Sequence, residues 1–172
     1  PQPLAPRPRE AVLPARTDLA RTTGSVYLQD VYTGRNMKGI QRGEIKKLLV
    51  LETLPKPVNF SPMMEPVSMG GTFTLVRILG TVPVEEDGSA YFELPAMRPL
   101  FFVALDENGL SVKRMMSFMT VQPGESFSCV GCHENRVETP QAARRGQAIG
   151  RKASRIEPIA GAPEVFDFPR DI

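Results

Sequence analysis

Cys129, Val130, Gly131, Cys132 and His133 place two thiols at C-x-x-C spacing with an imidazole directly after them. In 172 residues these are both of the cysteines and the only histidine. The pattern is the attachment signature of a c-type haem. Each thiol can add across one porphyrin vinyl group, because two intervening residues let a tight turn carry both sulfurs to the same edge of the ring. The adjacent histidine can then offer a ring nitrogen to the iron, and axial ligation of this kind helps to set the redox potential. Cys129 and Cys132 are therefore the expected tethers of one covalent haem c, and His133 is the expected iron ligand.

Three other chemistries fit the same residues less well. A disulfide across a two-residue gap closes so small a loop that it constrains little of the unfolded chain. A thioredoxin-like pair needs its cysteines at a helix start after a strand in a βαβ unit, and no such pattern precedes Cys129. Structural zinc asks for four ligands, so Cys129, Cys132 and His133 would need Glu134 or a second chain to complete the site. Zinc held this way, within a non-catalytic sandwich module that organises its neighbours, is the rival reading.

With His133 the only histidine, bis-histidine ligation within the chain is excluded. Met63, Met64 and Met69, and Met115, Met116 and Met119 just before the motif, are the thioether candidates for the iron's other face. For each of them core filling is the stronger expectation. An iron left open on one side would bind small molecules, whereas a six-coordinate iron suits electron transfer. Tyr32, Tyr91 and Glu134 are further pocket candidates, with packing in strands expected for the tyrosines and local capping for Glu134.

The elements that must position this motif read as β-structure. Ser25 to Tyr32 is strand-like and ends at Thr33-Gly34, and Lys47 to Leu51 is a short apolar run suited to a buried strand. Residues 60–71, with two prolines, two glycines and three methionines, read as a loop. Thr72 to Leu79 alternates, and Asp87-Gly88 stands between two strand-like runs from Val82 to Leu94, a hairpin signal. Leu100 to Leu105 and Ser111 to Met115 flank Asp106-Glu107-Asn108-Gly109, a second one. Met119 to Gln122 is the expected last strand, with the haem motif just after it on a loop or first helical turn. Ala142 to Ala153 is weakly helical in pattern. Seven or so short strands at this spacing predict a mainly β fold, an immunoglobulin- or transthyretin-like β-sandwich.

The flanks differ in composition. Five of the first fourteen residues are proline, interleaved with arginine, so residues 1–23 read as an extended linker. The sandwich is expected over 24–137, and 138–172 reads as a basic, proline-containing linker towards a following domain. Arg136, Arg144, Arg145, Arg151, Lys152 and Arg155 would pair haem propionates or steer an acidic partner; a solvated mobile segment is the stronger expectation. A net charge of +2 and no aromatic-interleaved basic stripe argue against nucleic acid. The longest apolar run, Leu100 to Leu105, is far too short to span a bilayer. The chain starts without methionine or a signal-type segment and reads as a processed or excised piece of something longer. Covalent haem attachment in bacteria occurs outside the cytoplasm, so the haem reading carries an expectation of periplasmic or otherwise exported location.

Residues 24–34 (GSVYLQDVYTG), 56–60 (KPVNF), 71–75 (GTFTL), 78–92 (ILGTVPVEEDGSAYF) and 128–134 (SCVGCHE) together resemble the haem-bearing middle domain of the hydrazine synthase alpha subunit. The resemblance spans about residues 24–137. It implies an exported multi-domain parent with a β-propeller upstream and a further cytochrome c domain downstream, to which Phe168 to Ile172 looks like the lead-in. Cys129, Cys132 and His133 inherit the haem-attachment role. In the family's hydrazine-forming site a tyrosine shortly after the motif binds iron and the motif histidine is diverted to zinc. Here Glu134, Asn135, Arg136 and Val137 follow, with no tyrosine, which leaves His133 as a conventional proximal ligand and argues against hydrazine synthesis. The expected function is electron transfer or small-molecule redox chemistry.

Overall fold

The structure, a computed structural model, describes residues 11–55, 76–133, 137 and 145–162. Seven strands form among them: β1 (Thr23–Asp30), β2 (Lys47–Thr53), β3 (Val76–Pro83), β4 (Ala90–Pro95), β5 (Leu100–Leu105), β6 (Ser111–Arg114) and β7 (Ser126–Gly131). They make a three-stranded sheet in the order β4-β1-β7 and a four-stranded sheet in the order β3-β2-β5-β6. The two sheets pack as the predicted β-sandwich. No helix of the described residues is long and apolar enough to cross a membrane.

Alternation decides which side chains meet in the middle. Val26 and Leu28 of β1 and Phe92 and Leu94 of β4 are buried from one sheet, against Leu48, Val50, Val82, Leu100 and Ala104 from the other. Phe92 and Phe102 meet edge-to-face across this interface, centroids 5.5 Å apart. Truncating a buried ring such as Phe92 to alanine costs about 3–5 kcal/mol, a large share of what holds a domain of this size. The central strands β2 and β5 are apolar on both faces, and Leu51, Phe101, Val103 and Leu105 form a second buried cluster on the outer face. Between Val50 and Leu51 the β2–β3 register shifts, pairing Val50 with Gly80 and Leu51 with Ile78, so Leu79 is the extra, bulged residue.

Only one of the two expected hairpins is a hairpin. β5 and β6 pair antiparallel around Asp106–Leu110. The Asp106 carboxylate accepts from Asn108 N at 2.9 Å and Leu110 N at 2.8 Å, and Gly109 takes φ 78°. Asp87-Gly88 also makes a tight turn, with Gly88 at φ 86°. Here β3 pairs with β2 and β4 pairs with β1, so the turn carries the chain from one sheet to the other. The cause is tertiary: Val31 N donates to Gly88 O at 2.8 Å, which docks the turn on the end of β1. Met119 to Gln122 is likewise no strand; Met119 and Leu100 exchange two backbone hydrogen bonds as an isolated bridge. The predicted strand Thr72 to Leu79 begins outside the described residues, and β3 runs on to Pro83.

The segment expected to be a basic linker lies on the sandwich over its described part. A 3-10 helix at Gln147–Gly150 buries Ala148, and residues 142–144 of the expected helix lie outside the described residues. Gly146 N donates to the Tyr27 hydroxyl and Ala148 N to Ser89 Oγ. Ser154 then bridges to Phe92 of β4, and Glu157 to Thr81 of β3, so one strap spans both sheets at the edge where β3 and β4 lie. Arg151 is spent there, with its Nε on Glu85 at 2.7 Å and one Nη on Tyr91 O and Ser154 Oγ.

The strap is latched by Asp87. Burial pushes its carboxyl upward, but hydrogen bonds from Ser89 Oγ, Gln147 N and Ser89 N outweigh that and hold its pKa below the ordinary 3.8. A depressed carboxylate stabilises the fold above its unfolded pKa and loses that contribution as pH falls through the folded value. The protection of the Gln147 and Ala148 amides, taken relative to intrinsic exchange at each pH, should therefore hold at pH 5 and fall below pH ~3.8. Asp87→Asn should lower that protection at neutral pH and flatten its acid dependence; an unchanged profile would remove the latch role.

Candidate functional site

The motif is built into a strand, not after one. β7 pairs parallel with β1, placing Cys129 opposite Leu28 and Gly131 opposite Asp30. The expected loop or helical start is thus replaced, for Cys129 to Gly131, by sheet backbone. The reason is non-local: β7 takes the open side of β1, with Ser25 and Ser126 hydroxyls 3.1 Å apart. Both cysteines are half-buried and pack on the inner core, while His133 is exposed.

Beyond Gly131 the chain is clasped by the loop that leaves β1. Cys132 N donates to Thr33 O at 2.7 Å, and Arg35 N donates to His133 O at 3.0 Å. The two backbones approach so closely that a Cβ on Gly131 would stand 2.0 Å from Thr33 O, and one on Gly34 would stand 2.2 Å from Cys132 O. The loop holds this shape through Asp30, whose carboxylate accepts from Tyr32 N at 3.0 Å and Thr33 Oγ1 at 3.2 Å and pairs with Arg42. His133 sits at φ 64°, a left-handed conformation that costs a non-glycine residue about 1 kcal/mol or more.

Cys129, Cys132 and His133 line one end of a cavity of about 640 Å³ between the sheets. It opens along the edge formed by β6 and β7, opposite the strap. Its walls are mostly apolar: Val26, Leu28 and Phe92 on one sheet, Leu48, Phe102 and Ala104 on the other. The size falls within the ~300–1,000 Å³ typical of ligand and cofactor pockets. Among the described residues no three of His, Cys, Asp and Glu are grouped to hold a metal ion.

Met115, Met116 and Met119 all line the cavity. They differ in seating: Met119 packs on the inner core, Met115 on the outer-face cluster, and Met116 is 84% exposed. Met63, Met64, Met69, Glu134 and Arg136 lie outside the described residues. Neither Tyr32 nor Tyr91 lines the cavity. The Tyr32 hydroxyl instead accepts from Gly43 N and Ile45 N, and Tyr91 stands edge-on to Tyr27. Among the described residues the cations at the cavity are Arg35, Lys113 and Arg114; Arg145, Arg151, Lys152 and Arg155 do not line it. Sequence reading passed over them because Arg35 and the Lys113–Arg114 pair lie far apart in the chain and outside any basic cluster. The Lys113 ammonium donates to Asn36 O at 3.0 Å, tying β6 to the clasping loop.

Taken together, these features define a two-sheet β-sandwich domain with a Cys-x-x-Cys-His motif on an edge strand, facing an apolar cavity between the sheets. The chain belongs to the hydrazine synthase alpha subunit middle domain family, whose profile matches residues 43–134. Among solved structures, Kuenenia stuttgartiensis hydrazine synthase is similar in fold, with a TM-score of 0.59 and 20% sequence identity over 76% of this chain. The match covers 20% of that chain. No curated protein matches this sequence.

Burial pushes the Cys132 thiol above its ordinary 9.0, partly offset by the nearby Lys113 ammonium. The folded thiol keeps its proton after the unfolded one has lost it, so stability is intact below pH 9.0 and falls above it. In a Cys129→Ser protein, iodoacetamide alkylation of Cys132 should titrate with a midpoint above pH 9.0. A midpoint at or below that value would mean that the cavity wall is wet.

Proposed function

We propose that this domain carries one covalently attached haem c, tethered by Cys129 and Cys132, with His133 as an axial ligand, and that it serves electron transfer or small-molecule redox chemistry. The observation that carries this reading is the cavity: about 640 Å³, apolar, and flanked at one end by all three motif residues. A flat apolar macrocycle needs that kind of space beside its attachment thiols, whereas a zinc site needs its donors drawn into a tight tetrahedron.

The chain's own residues have separable tasks. Cys129 presents its sulfur from a hydrogen-bonded strand, and Cys132 presents the second from the clasped turn. Leu28, Leu48, Phe92 and Phe102 exclude water from the space between them. Bound haem would supply one-electron chemistry at a potential set by axial ligation and burial. The missing tyrosine after His133 favours such a role over hydrazine formation. Exported location, with a β-propeller upstream and a second cytochrome c domain downstream, completes the proposal for the parent protein.

The test is a reduced pyridine haemochrome spectrum on protein exported to a bacterial periplasm with a cytochrome c maturation system, after acid-acetone extraction. A retained c-type spectrum is expected, lost to extraction in the Cys129→Ser/Cys132→Ser double variant. Colourless protein carrying stoichiometric zinc would overturn the reading in favour of the zinc module. Ala104→Trp, which projects a large ring into the cavity, should reduce haem loading severalfold while raising the melting temperature of the apo-protein. Full loading of that variant would place the haem elsewhere.

A further inference from the structure

Resting on the haem reading above, we propose that the segment Thr33 to Arg35 is the positioning element for the His133 imidazole, a backbone clamp that fixes the direction in which the iron ligand leaves the chain. The clamp has two hydrogen bonds, one on each side of the peptide that joins Cys132 to His133: Cys132 N to Thr33 O at 2.7 Å, and Arg35 N to His133 O at 3.0 Å. It also has two contacts that only glycine allows, since added Cβ atoms at Gly131 and Gly34 would stand 2.0 and 2.2 Å from facing carbonyl oxygens. The residue held between them is His133 at φ 64°. A left-handed residue points its Cα–Cβ bond differently from an extended one, so releasing the clamp redirects the imidazole before any side-chain rotation.

The first tether, Cys129, and the ligand are thus held by different parts of the fold. Cys129 is fixed by the pairing of β7 with Leu28 of β1, which does not involve the clamp. Perturbing residues 33–35 should therefore displace the ligand while leaving the first thioether in place. The Asp30 carboxylate braces the loop through Tyr32 N and Thr33 Oγ1 and pairs with Arg42.

The experiment uses holo-protein matured in the periplasm, in five forms beside wild type: Gly34→Ala, Gly131→Ala, Arg35→Pro, His133→Ala as the reference for a lost ligand and, as a control, Gly150→Ala, whose new Cβ meets nothing within 4 Å. Both clamp glycine variants should keep covalent haem but lose His133 ligation, with a spin state approaching that of His133→Ala and a shifted midpoint potential. Added imidazole should restore the wild-type spectrum, a rescue that a merely unstable fold would not give. Arg35→Pro removes the N–H that bonds His133 O and sets the ring Cδ against that oxygen, so it breaks the clamp at its second hydrogen bond without altering either glycine. It should show the same change, and it decides the matter if the alanine variants fail to fold. Haem-loaded clamp variants with wild-type spectrum and potential, or an unaffected Arg35→Pro, would overturn the clamp. Wild-type protein without covalent haem would overturn the haem reading instead, so the two failures are told apart by the wild-type spectrum.

Discussion

Two backbone segments lie against each other with no room for a side chain on either, and the rest of the site depends on that contact. Gly34 and Gly131 each face a carbonyl oxygen of the opposite segment at a distance no Cβ tolerates. Glycine at both positions costs conformational entropy in the unfolded chain, on the order of 0.5–1 kcal/mol each relative to alanine. What it permits is a pair of short backbone hydrogen bonds that carry the β1–β7 pairing past the end of β7. Through them the loop after β1 becomes a template for Cys132 and His133. Everything behind that loop, from the Asp30 turn to the Tyr32 hydroxyl, serves to keep the template rigid.

The sandwich is asymmetric in a way that fits this arrangement. At the β3/β4 edge the strap from Gly146 to Glu157 bridges both sheets with backbone pairing and the Arg151 network. Gly80 admits the strap there, since a Cβ would meet Glu157 O at 2.2 Å. At the β6/β7 edge the sheets part around an apolar hollow. A closed edge resists shear between the sheets, so the open edge can hold its walls apart without the fold sliding to fill the gap. The buried Glu52 carboxylate, flanked by Arg77 at 3.5 Å and Arg98 at 3.3 Å, pins β2 and β3 to the chain entering β5 in the same spirit.

Local chemistry was legible in the sequence and partner choice was not. Asp87-Gly88 and Asp106 to Gly109 carry equally good turn signals, and both are turns, but only the second joins paired strands. The difference lies in where Ala90, Phe92 and Leu94 find their partners, which is a property of the whole core. The Cys-x-x-Cys-His pattern announced its chemistry at once, yet its seat in a strand depended on β1, about a hundred residues earlier (Ser25 to Ser126). Thr33-Gly34 read as a plain turn because a glycine needed for close approach looks the same in sequence as one needed for positive φ. Lys113 and Arg35 gave no signal at all, since nothing in their neighbours marks which strand face meets a cavity.

The pairing of β7 with β1 also has a consequence in time. It joins Ser25 to Ser126, a separation of 101 residues, and it is parallel, so no tight turn brings the two strands together. The β5–β6 pair closes over a five-residue connection, and loop-closure entropy favours such local contacts first. Loop-closure entropy thus disfavours early docking of the strand that carries Cys129, and late docking would leave its thiols open to enzymes and solvent while the core forms, an order that pulsed thiol labelling during refolding would resolve. A domain folding in that order gives its most reactive residues the longest exposure before the fold shuts around them.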